Sequence, residues 1–290
     1  MTYRGRFAPS PTGQLHFGSL VAAVGSWLCA RHAGGQWLVR MEDIDSPREV
    51  AGAAADILRT LPRFGLVADA PPLFQSQRRA AYDAAFEQLR AADQVFRCAC
   101  SRSQLAASGG IHRDGLCVTT QRTGDEHAPA WRLRVPDTEV SFDDALLGPQ
   151  RESLRERVGD FVIRRADGLY SYQLACVVDD AYERITEVVR GQDLLESTAR
   201  QIWLQHCLGL PTPAYRHLPL VLDADGNKLS KSSHARPIDA ADPTATLRRA
   251  LAFLGRPLPD VPMNVAGLLA HALEDFEPGL MPHCSGSSGG

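Results

Sequence analysis

The first forty residues leave few folds open. Tyr3 to Ala8 can form a short strand, Pro9 to Gly13 is a proline- and glycine-punctuated loop, and an apolar-rich helix runs from about Gly18 to His32. Gln36 to Met41 then reads as a second strand, apolar enough to be buried. Two buried strands joined through a helix are parallel, so strand, loop, helix, strand is the opening of a doubly wound α/β sheet. Helices are predicted over Pro47 to Leu61 and Gln77 to Ala92.

The pattern then changes. From Phe96 to about Pro149 there are short segments, a cysteine pair, Gly109-Gly110 and an alternating run at Trp131 to Val135, which together read as an inserted module. The α/β pattern resumes with a strand over Asp160 to Arg165, a helix over Tyr170 to Asp180, a strand over Ile185 to Val189, a long helix over Asp193 to Leu208 and a last strand over His217 to Leu222. After Pro243 only helical segments remain, ending in a Ser/Gly tail. The predicted organisation is a first half-sheet over 1–95, an inserted module over 96–159, a second half-sheet over 160–236, a helical segment over 237–283 and a tail over 284–290.

Composition narrows the class further. A chain of 290 residues with 44% hydrophobic and 22% charged residues is that of a globular protein with a substantial core. No apolar run approaches the ~20 residues of a membrane helix, and the N-terminus lacks the apolar core of a signal peptide. Seven unevenly spaced cysteines without an export signal predict reduced thiols in the cytoplasm, some of them possible metal ligands in the chemical sense. The net charge of −3 gives no global pull on nucleic acid, so any RNA contact must be a local patch.

Ligands of doubly wound sheets sit beyond the carboxyl ends of the strands, where a loop meets a helix N-terminus. The loop after the first strand contains neither a Walker-type nor a Gly-x-Gly-x-x-Gly pattern, which removes the common nucleotide readings. It offers instead Thr12, His16 and Gly18 at a helix mouth. A second feature stands far along the chain. Only two lysines occur, Lys228 and Lys231, against 29 arginines, and both lie in the string Gly226-Asn-Lys-Leu-Ser-Lys-Ser232. Two ammonium groups and the Ser230 hydroxyl on one loop can follow charge that develops on a triphosphate during attack at its α-phosphorus.

Three strings, Arg6 to Gly18, Arg40 to Asp45 (Arg-Met-Glu-Asp-Ile-Asp) and Lys228 to Ser232, resemble the glutamyl-type class I aminoacyl-tRNA synthetases. The likeness runs from Tyr3 to about Arg236. It implies a Rossmann-type catalytic domain split by an insertion, with His16, Lys228 and Lys231 catalytic and with Thr12, Gly18 and Ser230 joining them around ATP and Mg2+. It also implies a pocket for L-glutamate. Arg6 and Arg190, both at strand ends, would flank the carboxylates, Ser10 and Glu42 would meet the α-amino group, and Phe7, Ala8, Pro9 and Tyr172 would line the walls. Fewer than 60 residues follow Ser232, so no large anticodon-reading domain is expected. That length places the resemblance in the short branch of the family, which transfers glutamate to the queuosine base in the anticodon of tRNA(Asp). The alternative is a catalytic core that charges a tRNA 3′ end.

Cys98, Cys100 and Cys117 put three thiols within 20 residues, with His112 between them as a fourth donor of the right chemistry for a closed zinc site. Partly buried reduced thiols are the simpler alternative. The short glutamyl relatives carry a zinc module in this region, so the resemblance implies one structural Zn2+, with His112 inferred from zinc chemistry alone. Cys29, Cys176, Cys207 and Cys284 read as structural or incidental.

Overall fold

The computed structural model describes residues 2–106, 109–113, 129–222 and 238–282. In chain order the strands are β1 (Arg4–Phe7), β2 (Gln36–Met41), β3 (Leu73–Phe74), β4 (Val95–Cys98), β5 (Ala130–Leu133), β6 (Glu139–Asp144), β7 (Gly148–Ser153), β8 (Phe161–Arg164), β9 (Glu187–Gly191) and β10 (Ala214–Leu218). The helices are α1 (Phe17–His32), α2 (Ala53–Thr60), α3 (Arg79–Ala91), α4 (Arg102–Ala106), α5 (Tyr172–Tyr182), α6 (Leu195–Leu208), α7 (Pro243–Phe253) and α8 (Val265–Leu273).

The opening unit folds as expected: β1 and β2 pair in parallel from Arg4 opposite Gln36 to Phe7 opposite Val39, and β3 adds in parallel beyond β2. The second half-sheet has the order β7-β6-β10-β9, with β9 and β10 parallel over five residues. The halves meet where β1 lies beside β9, joined by the Thr186 amide to the Arg4 carbonyl at 2.9 Å and by the Tyr3 hydroxyl to Glu187 at 2.7 Å. A helix buried on nearly all sides should be apolar all round, and α1 is so, with Leu20, Val21 and the run Ala23–Ala30 buried. Its small residues let it sit close between the sheet and α7. A β-carbon on Gly25 would come within 2.6 Å of Leu218 and 3.6 Å of Leu254.

Two strands lie in sheets other than those their sequence position suggested. Glu139–Asp144, assigned to the inserted module, forms a hairpin with β7 and pairs in parallel with β10 through Tyr215 and Asp144, so it extends the main sheet. Phe161–Arg164, assigned to the return of the main sheet, pairs antiparallel with β5, which in turn pairs antiparallel with β4. The inserted sheet is therefore β4-β5-β8, and the pairing does not respect a division at 159/160. Pairing is a contact between distant residues, and local alternation does not specify the partner. The helices after Pro243 pack on α1: Leu247, Leu251, Leu268 and Phe276 join Leu20, Val24 and Leu28 in one core. Among the described residues no helix is long and apolar enough to cross a membrane.

Candidate active site

The carboxyl ends of β1, β2, β9 and β10 open on one cleft of about 1210 Å3. Phe7, Ala8, Pro9, Ser10, Thr12, His16, Gly18, Glu42 and Tyr172 all line it, together with Gly191, Asp193 and Pro219. The loop after β1 is fixed to the loop after β2 by the Glu42 amide, which donates to the Pro9 carbonyl at 3.0 Å, and by Val50 to Pro11 at 3.0 Å. These bonds bring Ser10 and Glu42 to the same wall. His16 caps α1: its Nδ1 accepts from the Ser19 amide at 3.3 Å, and no acidic residue occupies the first turn. The first turn of α1 thus carries no carboxylate of its own against the helix dipole at the cleft, a setting that favours phosphate oxygens. Lys228, Ser230 and Lys231 lie outside the described residues.

Beneath the cleft floor lies a charged cluster that the sequence reading named only in part. Arg6 is 3% exposed and does not line the cleft. Its Nε and Nη2 donate to the two oxygens of Asp180 at 3.0 and 3.3 Å. Arg40, fully buried, reaches Asp180 at 2.8 Å, Glu183 at 2.7 Å and Glu42 at 3.7 Å. Burial alone would raise the Asp180 carboxyl, but the Arg40 and Arg6 guanidiniums carry it well below the ordinary carboxylate range. Glu42 goes the other way. Burial pushes it up to about 7 despite Arg40 and Arg6, and its Oε1 has no hydrogen-bond partner among the described residues. A cleft-lining carboxylate whose Oε1 makes no hydrogen bond among these residues, with Arg40 no nearer than 3.7 Å, is the partner an ammonium group would complete.

Cys176 lies inside this cluster, 3.5 Å from Asp180 Oδ2 and 3.7 to 3.9 Å from the two guanidiniums, with burial raising its thiol to about 12. Asp179, next to Asp180 on α5, accepts from Gln75 at 3.0 Å, Tyr82 at 2.6 Å and Arg78 at 3.0 Å. Two adjacent aspartates ending an apolar helical run were the available sequence signal for Asp179 and Asp180. Arg190, 5% exposed, does not line the cleft either, but it meets the cleft-lining Tyr172 hydroxyl, and its direct contacts carry no carboxylate: His217, Gln201, Thr198 and Tyr172.

In the inserted sheet, sulfur atoms of Cys98 and Cys100 and a ring nitrogen of His112 lie within 4.8 Å of one another. His112 Nδ1 is 2.9 Å from Asp160, while its buried Nε2 has no hydrogen-bond partner among the described residues. Gly159 makes this approach possible. With φ of 64° it takes a left-handed conformation, and a β-carbon there would stand 2.5 Å from the His112 carbonyl. Two thiols and an imidazole oriented by a carboxylate fit a thiophilic divalent ion such as zinc. Cys117 and Cys284 lie outside the described residues, and Cys29 and Cys207 sit away from this group.

The catalytic-domain profile of class I tRNA synthetases (E and Q) matches residues 2–255. The chain belongs to this family. A protein of Xanthomonas campestris pv. campestris (strain 8004), named Glutamyl-Q tRNA(Asp) synthetase, is 54% identical over 285 residues, covering 97% of this chain and 94% of its own. A Burkholderia cenocepacia protein of the same name (strain J2315) is 57% identical over 262 residues, covering 87% and 88%. Among solved structures, the glutamate tRNA ligase of Elizabethkingia meningosepticum CCUG26117, crystallised in complex with its amino acid, superposes with a TM-score of 0.79 at 25% identity. The match covers 97% of this chain and 66% of that enzyme. Membership of the synthetase family accounts for a Rossmann-like parallel sheet with its cleft at the strand ends, and makes the protein a ligase.

Proposed function

We propose that this protein activates L-glutamate with ATP and Mg2+ and transfers it to the queuosine base in the anticodon of tRNA(Asp). The observation that carries the reading is the cleft itself, in which a helix mouth suited to phosphate and the Glu42 carboxylate with its unbonded Oε1 face one space, with buried Arg190 beneath Tyr172. The names and near-equal lengths of relatives above 50% identity support the choice of acceptor. In the first step the glutamate α-carboxylate attacks the α-phosphorus, the bond to the β-phosphate breaks, and pyrophosphate leaves. Thr12, His16 and Gly18 receive the nucleotide at the mouth of α1, and Lys228, Ser230 and Lys231 stabilise the charge on the phosphates. Positioning and charge carry such a step without a protein nucleophile. Glu42 and Ser10 hold the α-amino group, and Arg190 and Tyr172 face the side chain. Arg6, neutralised by Asp180, acts by holding the wall formed by Phe7, Ala8 and Pro9. In the second step a hydroxyl of the cyclopentene-diol ring of queuosine attacks the activated carbonyl, and AMP leaves.

The Cys98, Cys100 and His112 group, with Cys117, holds one structural zinc in this reading. With zinc bound, these residues would tie the end of β4 to the His112 segment. A cytoplasmic setting follows from the tRNA acceptor. The test has two arms. ATP–pyrophosphate exchange should depend on glutamate without any tRNA, and labelled glutamate should become attached to tRNA(Asp) only when it contains queuosine. Attachment at the 3′ adenosine, or transfer indifferent to queuosine, would leave the protein a 3′-charging enzyme.

A further inference from the structure

We infer that Asp144 and His217 form a positioning relay that sets the Arg190 guanidinium for the side-chain carboxylate of the amino-acid substrate, and with it the preference for glutamate over glutamine. The inference rests on the function proposed above and concerns residues that do not line the cleft.

The relay is drawn from four elements. Asp144 ends β6, Arg190 is on β9, Thr198 and Gln201 are on α6, and His217 is on β10. Asp144 Oδ2 is 2.6 Å from His217 Nδ1, and Arg190 Nε donates to His217 Nε2 at 3.0 Å. An arginine nitrogen can only donate, so Nε2 must present a lone pair, and the ring is neutral with its proton on Nδ1 facing Asp144. Burial, with the Arg190 charge, holds His217 below the ordinary imidazole range against the pull of Asp144. The other charged group acting on the ring is Arg6 on β1, and from its own strand Tyr215 stacks on it at 6.3 Å. Asp144 cannot swing away. Its Oδ1 accepts from the Leu146 and Leu147 amides, each at 3.0 Å, and from the His217 amide at 3.3 Å.

The remaining forks of Arg190 are directed by Gln201 at 2.7 Å, Thr198 at 2.7 Å and Tyr172 at 3.5 Å. Among the described residues no carboxylate pairs with Arg190 directly, whereas Arg6 and Arg40 share Asp180. A carboxylate placed directly on Arg190 would compete with an anionic ligand. A neutral imidazole between them fixes the guanidinium while leaving its charge available. A neutral amide ligand gains less from that charge than a carboxylate does.

Asp144→Asn tests the relay with little change in shape. The asparagine oxygen can keep the backbone amides, and its NH2 faces His217 Nδ1, driving the ring proton to Nε2 against the Arg190 donor. In ATP–pyrophosphate exchange the KM for glutamate should rise about 10- to 100-fold, as for a lost hydrogen bond to a charged group. The KM for ATP should stay within about twofold, and the ratio of kcat/KM for glutamate over glutamine should fall with glutamate affinity. His217→Gln, which can offer an oxygen near the place of Nε2, should restore part of that ratio relative to His217→Leu. Should Asp144→Asn not fold, this second pair decides the matter. Unchanged glutamate KM and selectivity in a folded variant, equal losses for glutamate and ATP, or equal behaviour of His217→Gln and His217→Leu would overturn the relay while leaving the proposed function intact. Absence of glutamate-dependent exchange in the unsubstituted protein would remove both.

Discussion

Asp180 holds two guanidiniums at once, and replacing it with asparagine measures what that costs. Both oxygens are engaged by Arg6, and Oδ1 also meets Arg40, with every side chain in the group 6% exposed or less. The substitution preserves shape and one acceptor while removing the charge. Breaking a buried pair by neutralising one partner typically costs about 3–5 kcal/mol. Here two effects act in opposite directions. Arg6 has no other carboxylate pairing among the described residues, which pushes towards the upper end. Arg40 keeps Glu183, and Glu42, no longer raised by Asp180, can ionise further, which pushes towards the lower end. The expected loss is about 3 kcal/mol at pH 7.5, a large share of an ordinary domain's stability. Urea unfolding followed by tryptophan fluorescence reads it. The pH dependence gives a second check. Because Asp180 is depressed in the fold, its contribution is present above the unfolded value of about 3.9 and is lost as pH falls towards the folded value, so the two proteins should converge on acidification. Cys176→Ser, whose contacts are 3.5 Å or longer, should cost under about 1 kcal/mol. A loss below about 1 kcal/mol for Asp180→Asn, or a difference that does not shrink towards low pH, would refute the view of the cluster as a charge-paired unit.

Glu42 predicts an opposite pH effect. With its carboxyl raised to about 7, the glutamate KM should fall as pH rises through that value, and Glu42→Gln should raise the KM and flatten the profile of exchange against pH. The same shift makes the ligand-free protein less stable as pH climbs from the ordinary Glu range towards 7, with added glutamate offsetting the loss in thermal melts. Lys231→Ala should abolish glutamate-dependent exchange with an unchanged circular dichroism spectrum, and persistent exchange would deny it a part in catalysis. Elemental analysis of protein purified without chelator should find one zinc per chain, lost in Cys98→Ser and Cys100→Ser.

The parallel β1-α1-β2 unit was legible because its signals are local: two short apolar runs, a loop of proline and glycine, and a helix apolar on every side. Thr12, His16 and Gly18 followed from it, since a sheet of this kind places its ligand at the strand ends, whereas Phe7, Ala8, Pro9 and Ser10 rested on the family resemblance. Sheet membership of the later strands was not legible. Glu139–Asp144 alternates in burial as a half-exposed strand would, and nothing within it names β10 as its partner rather than β5. The Rossmann-like frame survives this because α5, β9, α6 and β10 each carry their own signal, whatever the hairpin before them does.

Arg6 and Arg190 show what a sequence withholds even where it points to the right residues. Both are arginines near the ends of parallel strands, and both invite the same role towards a dicarboxylic substrate. Their difference lies in partners 174 and 27 positions away. Asp180 arrives on a helix and pairs with Arg6 while also holding Arg40, the ground on which Arg6 is proposed as a brace under the loop. His217 arrives on the neighbouring strand as a neutral acceptor and leaves the charge of Arg190 intact. Electrostatic availability is thus a property of the packed interior rather than of the residue type. It separates two positions that composition, spacing and family likeness treat alike, and it is the ground on which Arg190 rather than Arg6 is proposed for glutamate's side chain.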